Sequence, residues 1–193
     1  MKNQLKSKFG VFPELSFENR RDCEHPKTTI SYGNTATIHY QIPNPILTSS
    51  GQSRAETWYT DSVATEMNAT IYPDSLEAGT RTGQRKGIYA NYGLIQGHLL
   101  NAELGGKAID CNLFPLTAEA NRNHGGIEGE VKNIYRKIKP RGRINYMVKG
   151  ILDKDFFINR EDYINNSRLL CSIETYENNE KKNNSQRFHD SKP

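Results

Sequence analysis

From Tyr92 to Lys132 the chain reads YGLIQGHLLNAELGGKAIDCNLFPLTAEANRNHGGIEGEVK, and the order of signals in that stretch leaves few folds open. Ile88, Tyr89, Tyr92, Leu94, Ile95, Leu99 and Leu100 supply a strand-like apolar run over residues 87–100. Gly93 and Gly97 interrupt it, as glycines do at a bulge or a close backbone approach. Gly97 is therefore expected to let His98 come close to something bulky, such as a phosphate. Residues 101–110 read as a loop, with Gly105-Gly106 its strongest turn signal. Asn112 to Leu116 is expected to be extended, because the residue before a proline avoids the helical region.

Thr117 then reads as a helix N-cap, a position where a hydroxyl accepts a bond from an unpaired backbone N–H. Asn121, His124 and Glu128 follow at i, i+3 and i+7, on one face of that helix. Ala120, Ile127, Val131 and Ile134 mark an adjoining apolar stripe. Gly125-Gly126 weakens the helix by about 1 kcal/mol per glycine relative to alanine, so an interruption is expected there.

These residue types suit hard-cation chemistry. Asn and Glu offer oxygen ligands, and Mg²⁺ or Mn²⁺ prefers oxygen; Mg²⁺ also keeps several waters. A neutral His98 is placed to take a proton from a water in line with a phosphorus. The cation would stabilise charge on the scissile phosphate and leaving oxygen. The same spacing also describes an ordinary polar helix face with a structural histidine, and spacing alone leaves both readings open.

The wording of the stretch is more specific than its spacing. Gly97-His98-Leu99-Leu100-Asn101, Leu104-Gly105-Gly106, Asn112-Leu113-Phe114-Pro115-Leu116-Thr117, and Ala120-Asn121 with His124, Glu128 and Lys132 resemble the DNA/RNA non-specific endonuclease group. That group belongs to the ββα-metal, or His-Me finger, nucleases. The match is most similar to the branch found as toxin domains of bacterial polymorphic and contractile-injection-system proteins. The resemblance implies that His98 is the general base and Asn121 the metal ligand. It also implies that Glu128 assists at the metal and in catalysis. His124 matches a position that is often His in this branch, as an accessory residue. Better-studied members carry an Arg two residues before the base, where this chain has Gln96, also a candidate accessory. The departure removes a charged phosphate contact.

The chain has 193 residues and a formal net charge of +4, from 26 Lys plus Arg against 22 Asp plus Glu. That length suits one domain, and the mild basicity permits a polyanionic partner without demanding one. The densest positive run holds Lys132, Arg136, Lys137, Lys139, Arg141 and Arg143. Beside the motif it reads as a track for nucleic acid, with Arg85 and Lys86 ahead of the motif as further phosphate contacts; a solvated face is the alternative. Cys23, Cys111 and Cys171 are widely spaced and odd in number, so reduced, inert thiols are expected. Neither a secretory h-region nor a membrane span is evident, so synthesis in a bacterial cytoplasm and delivery by an injection system are consistent with the sequence.

Elsewhere, residues 28–42 alternate about Gly33-Asn34 as a hairpin. Residues 46–52 read as a linker, and 55–72 as a short helix followed by a strand. Residues 144–152 and 167–176 alternate as strands that extend an antiparallel sheet behind the helix. The expected fold class is α+β, an antiparallel sheet with a strand–loop–helix motif carrying the site. Residues 1–26 are expected to form a polar lead segment, 27–176 the nuclease-like domain, and 177–193 a disordered polar tail. The first functional expectation is a metal-dependent, largely sequence-non-specific endonuclease acting on DNA, RNA or both, used as a toxin and held in check by an acidic immunity protein. The alternatives are a non-catalytic nucleic-acid-binding or injection-machine component on the same scaffold, and a hydrolase of another phosphoester. Oligomeric state is not legible.

Overall fold

Alternation builds the main sheet. In the strand Gly142–Leu152, Ile144, Tyr146 and Val148 are buried while their neighbours are more exposed. The strands Glu66–Ile71 and Ser167–Glu177 show the same period of two, burying Met67, Ala69 and Ile71 in one and Leu169, Cys171 and Ile173 in the other. A strand with one wet face and one dry face requires that period. The computed structural model describes residues 27–32, 36–41, 44–49, 58–73, 79–83, 88–154 and 156–190. The lead segment 1–26, with Cys23, lies outside them, as do Arg85 and Lys86.

In chain order the strands are β1 (Lys27–Tyr32), β2 (Ala36–Gln41), β3 (Asn44–Ser49), β4 (Trp58–Val63), β5 (Glu66–Ile71), β6 (Ile95–His98), β7 (Leu113–Leu116), β8 (Gly142–Leu152), β9 (Phe156–Phe157), β10 (Ser167–Glu177) and β11 (Glu180–Asp190). The α-helices are α1 (Ile88–Asn91), α2 (Ala118–Tyr135) and α3 (Arg160–Asn165). The main sheet is antiparallel in the order β1-β2-β5-β8-β10-β11. A second sheet has the order β4-β3-β9, and β6 pairs with β7 alone. The fold is α+β.

Helix α2 lays Ala120, Ile127 and Val131 on the dry face of the main sheet, in one core with Phe114 and Leu116 of β7. Burying a side chain of that size contributes about 1.5–3 kcal/mol for the larger members. A second core joins Val63, Leu94, Leu113, Phe157, Tyr163 and Ile164. The β6–β7 ribbon is thus anchored from both sides. Tyr163 donates its hydroxyl to the Pro115 carbonyl at 2.9 Å, Tyr92 to that of Phe157, and Tyr89 to that of Leu113.

Several expectations are corrected. The tail 177–193 was expected to be disordered, yet residues 180–190 form β11 along β10, with Arg168 opposite Asp190 and Glu177 opposite Glu180. The turn is Asn178-Asn179, both at positive φ (50° and 68°), the geometry of a tight hairpin that Asn tolerates. Residues 46–49 belong to β3 rather than to a linker, and 58–63 form β4 rather than a helix, while the strand expected at the end of 55–72 is β5; residues 50–57 lie outside the described residues. The glycine pair does not break α2, which runs unbroken from Ala118 to Tyr135. Cys111 is disulfide-bonded, not reduced, while Cys171 is a buried free thiol. No helix among the described residues is long and apolar enough to cross a membrane.

Candidate active site

Strand β6 presents Gln96 and His98 on one face, since alternate residues of a strand share a side. The intervening Gly97 is buried, and a Cβ there would lie 2.4 Å from Leu116 Cδ1. The need for glycine therefore comes from the packing of β7 on β6, not from an approach by ligand. His98 pairs in register with Leu113, and the turn after it is tied to α2 through Asn101 and Glu128.

The turn is built by asparagines. Asn101 accepts from the Glu103 backbone N–H through Oδ1 at 2.8 Å, capping the 3₁₀ turn Ala102–Leu104. Its Nδ2 donates to Glu128 Oε2, also at 2.8 Å. Asn112 is fully buried and bonds both the N–H and the carbonyl of Leu100, holding the chain just past the base. Gly106 lies against this clasp, and a Cβ there would stand 1.7 Å from the Leu100 oxygen.

Residues 79–83 run beside that turn, with Gly79 N–H donating to the Ala102 carbonyl and Thr80 N–H to that of Gly106. The Thr80 carbonyl then meets His98 Nε2 at 2.9 Å. A carbonyl only accepts, so Nε2 carries the hydrogen when the ring is neutral, and Nδ1 keeps its lone pair. Burial of the half-buried ring pulls its pKa below the ordinary histidine value of 6.5. The Thr80 carbonyl and the Glu128 charge pull the other way and are outweighed, while His124 adds to the lowering. His98 is therefore neutral at neutral pH with Nδ1 free to take a proton.

Helix α2 begins where Thr117 accepts the Ala120 N–H at 3.0 Å, as its sequence requires. Asn121 is half-buried on the first turn, at the edge of the buried face. His124 and Glu128 lie on that face, only 1% and 4% exposed. His124 Nε2 stands 3.4 Å from Glu128 Oε1, in ion-pair range, although neither atom makes a hydrogen bond. On its other side, His124 Nδ1 stands 3.6 Å from Cys171 Sγ of β10. Burial opposes charge on His124, but the Cys171 sulfur and the Glu128 carboxylate outweigh it and push the pKa up to about 10. Tyr146 of β8 completes the floor, its hydroxyl pushed well above the usual phenol range by burial and by the neighbouring Cys171 and Glu128.

The basic run does not stay together. Lys132 is tied to Glu103 at 2.7 Å, and that bond holds the Glu103 carboxyl below its ordinary value, with the charges of Arg136 and Arg81 acting in the same direction. Arg81, directly after Thr80, thus joins Lys132 and Arg136 at the rim beside His98. Lys139 instead faces Glu177 at 3.6 Å, and Arg143 lies over the Tyr176 ring at 4.2 Å. Lys137 and Arg141 are exposed. Gln96 Oε1 is buried without a hydrogen-bond partner. The sequence reading missed Thr80 and Asn101. A backbone carbonyl has no signature in sequence, and an Asn in a turn-rich stretch looks like any turn residue. A separate cavity of about 350 Å³, lined by Asn68, Thr70, Asn145, Tyr146, Ser172 and Glu174 among others, shares only Tyr146 with these groups.

Among the described residues there is no cluster of three or more His, Cys, Asp or Glu side chains able to cage a metal. Of the two oxygen donors expected from the sequence, Asn121 is half-buried and Glu128 is only 4% exposed. So sparse an oxygen set fits a hard divalent cation that keeps most of its waters, and does not fit a closed zinc site. No known protein family matches the sequence, and no curated protein does. Among solved structures the chain is similar to the Sda1 nuclease with bound zinc ion, at a TM-score of 0.41 and 14% identity, covering 91% of this chain and 93% of that one. At that distance the likeness assigns no residue a role.

Proposed function

We propose that this chain is a metal-dependent endonuclease that hydrolyses phosphodiester bonds of DNA, RNA or both with little sequence preference. The observation that carries the reading is the His98 imidazole, held by the Thr80 carbonyl through Nε2 and kept neutral by burial, on the strand–strand–helix unit formed by β6, β7 and α2. A neutral imidazole fixed at one nitrogen is a base with a single free position. His98 Nδ1 takes the proton of the attacking water and holds it as the ring becomes cationic. The Thr80 carbonyl and Glu128 favour that cation, since both oppose the lowering of the His98 pKa. Asn121 would hold the cation and Glu128 would orient its waters; Mg²⁺ or Mn²⁺ suits these oxygens. When bound, the cation would neutralise charge on the scissile phosphate and the leaving oxygen.

Arg81, Lys132 and Arg136 give the rim its positive charge, in place of the Arg that Gln96 lacks. Such contacts reach backbone phosphates and so favour cutting without sequence preference. The chain's toxin use, its delivery from the cytoplasm that makes it, and an acidic immunity protein covering this rim belong to the same proposal. The test is incubation of the purified chain with plasmid DNA and with total RNA, in Mg²⁺, Mn²⁺ or chelator, beside His98→Ala. Cutting that needs both the metal and His98 is expected. Tight binding of nucleic acid with no cutting in any metal would instead favour a non-catalytic component on this scaffold.

A further inference from the structure

The proposed mechanism leaves two buried polar groups without work, His124 and Cys171. His124 lies on the buried face of α2 and Cys171 on β10 beneath it, and both are only 1% exposed. Their contacts form a line. Cys171 Sγ meets His124 Nδ1 at 3.6 Å, His124 Nε2 faces Glu128 Oε1 at 3.4 Å, and Glu128 Oε2 takes the Asn101 amide at 2.8 Å. Asn101 in turn caps the 3₁₀ turn that leaves the base-bearing strand. The line thus runs from the middle of β10 to the turn after His98.

A carboxylate hydrogen-bonded at one oxygen swings about that contact; a charged ring in ion-pair range of the other oxygen narrows the swing. We infer that His124 is a positioning residue, which fixes the Glu128 carboxylate from the side opposite Asn101, and that Cys171 sets the angle of the His124 ring. The assignment rests on the nuclease reading above and adds two residues that act only through Glu128. It also explains why an ionisable pair occupies a helix face that Ala120, Ile127 and Val131 otherwise fill with hydrocarbon. Replacing such a pair by hydrocarbon of similar volume is often neutral or stabilising, so stability alone does not call for it.

The experiment measures steady-state cutting of plasmid DNA in Mg²⁺ by wild type, His124→Phe, His124→Gln, Cys171→Ala and Cys171→Ser, with circular dichroism and melting recorded for each. His124→Phe keeps the ring and loses both nitrogens. It is expected to lower kcat about 10–100-fold, the usual effect of losing a partner that orients a metal-site ligand, with KM within about twofold. His124→Gln returns an N–H near the place of Nε2 and is expected to recover part of the loss. Cys171→Ser is expected to retain most of the activity that Cys171→Ala loses. Should His124→Phe fail to fold, the Cys171 pair carries the test alone. A folded His124→Phe with wild-type kcat, or a Gln variant no better than Phe, overturns the assignment while leaving the nuclease reading intact. A wild-type chain that cuts nothing in Mg²⁺ or Mn²⁺ overturns both.

Discussion

His98 and His124 face each other's fields across the start of α2, and their surroundings push them in opposite directions. The rim histidine is held at one nitrogen by a neutral carbonyl, and burial leaves it uncharged. The floor histidine is more deeply buried, yet an adjacent carboxylate and a sulfur keep it charged. Burial alone therefore does not decide the protonation of an imidazole here; the partner at the second nitrogen does. One site is left able to accept a proton and the other is filled. The first suits a base, the second a strut.

The largest separation between the two regions should appear in rate. Truncating His98 to Ala is expected to lower cutting by about 10²–10⁴-fold, the range for loss of a general base. Its melting temperature should change little, because the ring is half-buried and its hydrogen bond to Thr80 is to a carbonyl at the surface. Comparable cutting by the variant would remove the base from the rim and end the contrast.

Glu128→Ala probes the floor, and its signature is stability as well as rate. It strands the buried His124 charge, which costs about 3–5 kcal/mol when one partner of a buried pair is removed. Chemical denaturation should show this loss, with Glu128→Gln less affected because an amide oxygen still receives Asn101. Equal stability of the Ala variant and wild type would mean that His124 is not charged in the folded chain.

Titration tests the same contrast without mutation. His98 has a folded pKa below its unfolded value of 6.5, so the unfolded chain takes the proton first. Its effect is a loss of stability as pH falls below about 6.5. His124 is raised from 6.5 to about 10, so its contribution is full below 6.5 and disappears as pH rises through that window to about 10. Ring-proton NMR in chelator should therefore find one histidine titrating below 6.5 and another still protonated well above it. Both titrating near 6.5 would erase the distinction.

Legibility in the sequence followed the locality of the signal. The run Pro115-Leu116-Thr117 announced both the extended β7 and the cap of α2, because proline geometry and a capping hydroxyl act within a few residues. Tyr146 and Cys171 could be placed on strands by alternation, but their meeting under His124 depends on pairing between β8 and β10, which no single segment encodes. β11 was hidden for a different reason. Its residues, EKKNNSQRFHD, are polar, and an edge strand is held by a backbone ladder that takes little account of side chains. Asn178-Asn179, which looked like the start of a disordered tail, is the turn that makes the ladder possible.

The smallest effect concerns the solvent face of α2, which departs from the stability optimum as the floor does, but with no partner to account for it. Gly125 and Gly126 are exposed, and a Cβ at either would meet nothing within 4 Å. Neither shows a positive φ, so alanine fits both backbones. Gly126→Ala should therefore stabilise the chain by about 1 kcal/mol through helix propensity, seen as a rise in melting temperature. Gly126 and Gly129 also line a shallow hollow of about 370 Å³ with Glu130, Asn133, Ile134 and Lys137. If that hollow is only surface, cutting of plasmid DNA by Gly126→Ala stays at the wild-type level while stability rises. A stabilised variant that cuts poorly would show that the bare helix backbone, rather than the buried pair alone, takes part in activity, and the division between a working floor and an idle outer face would have to be redrawn.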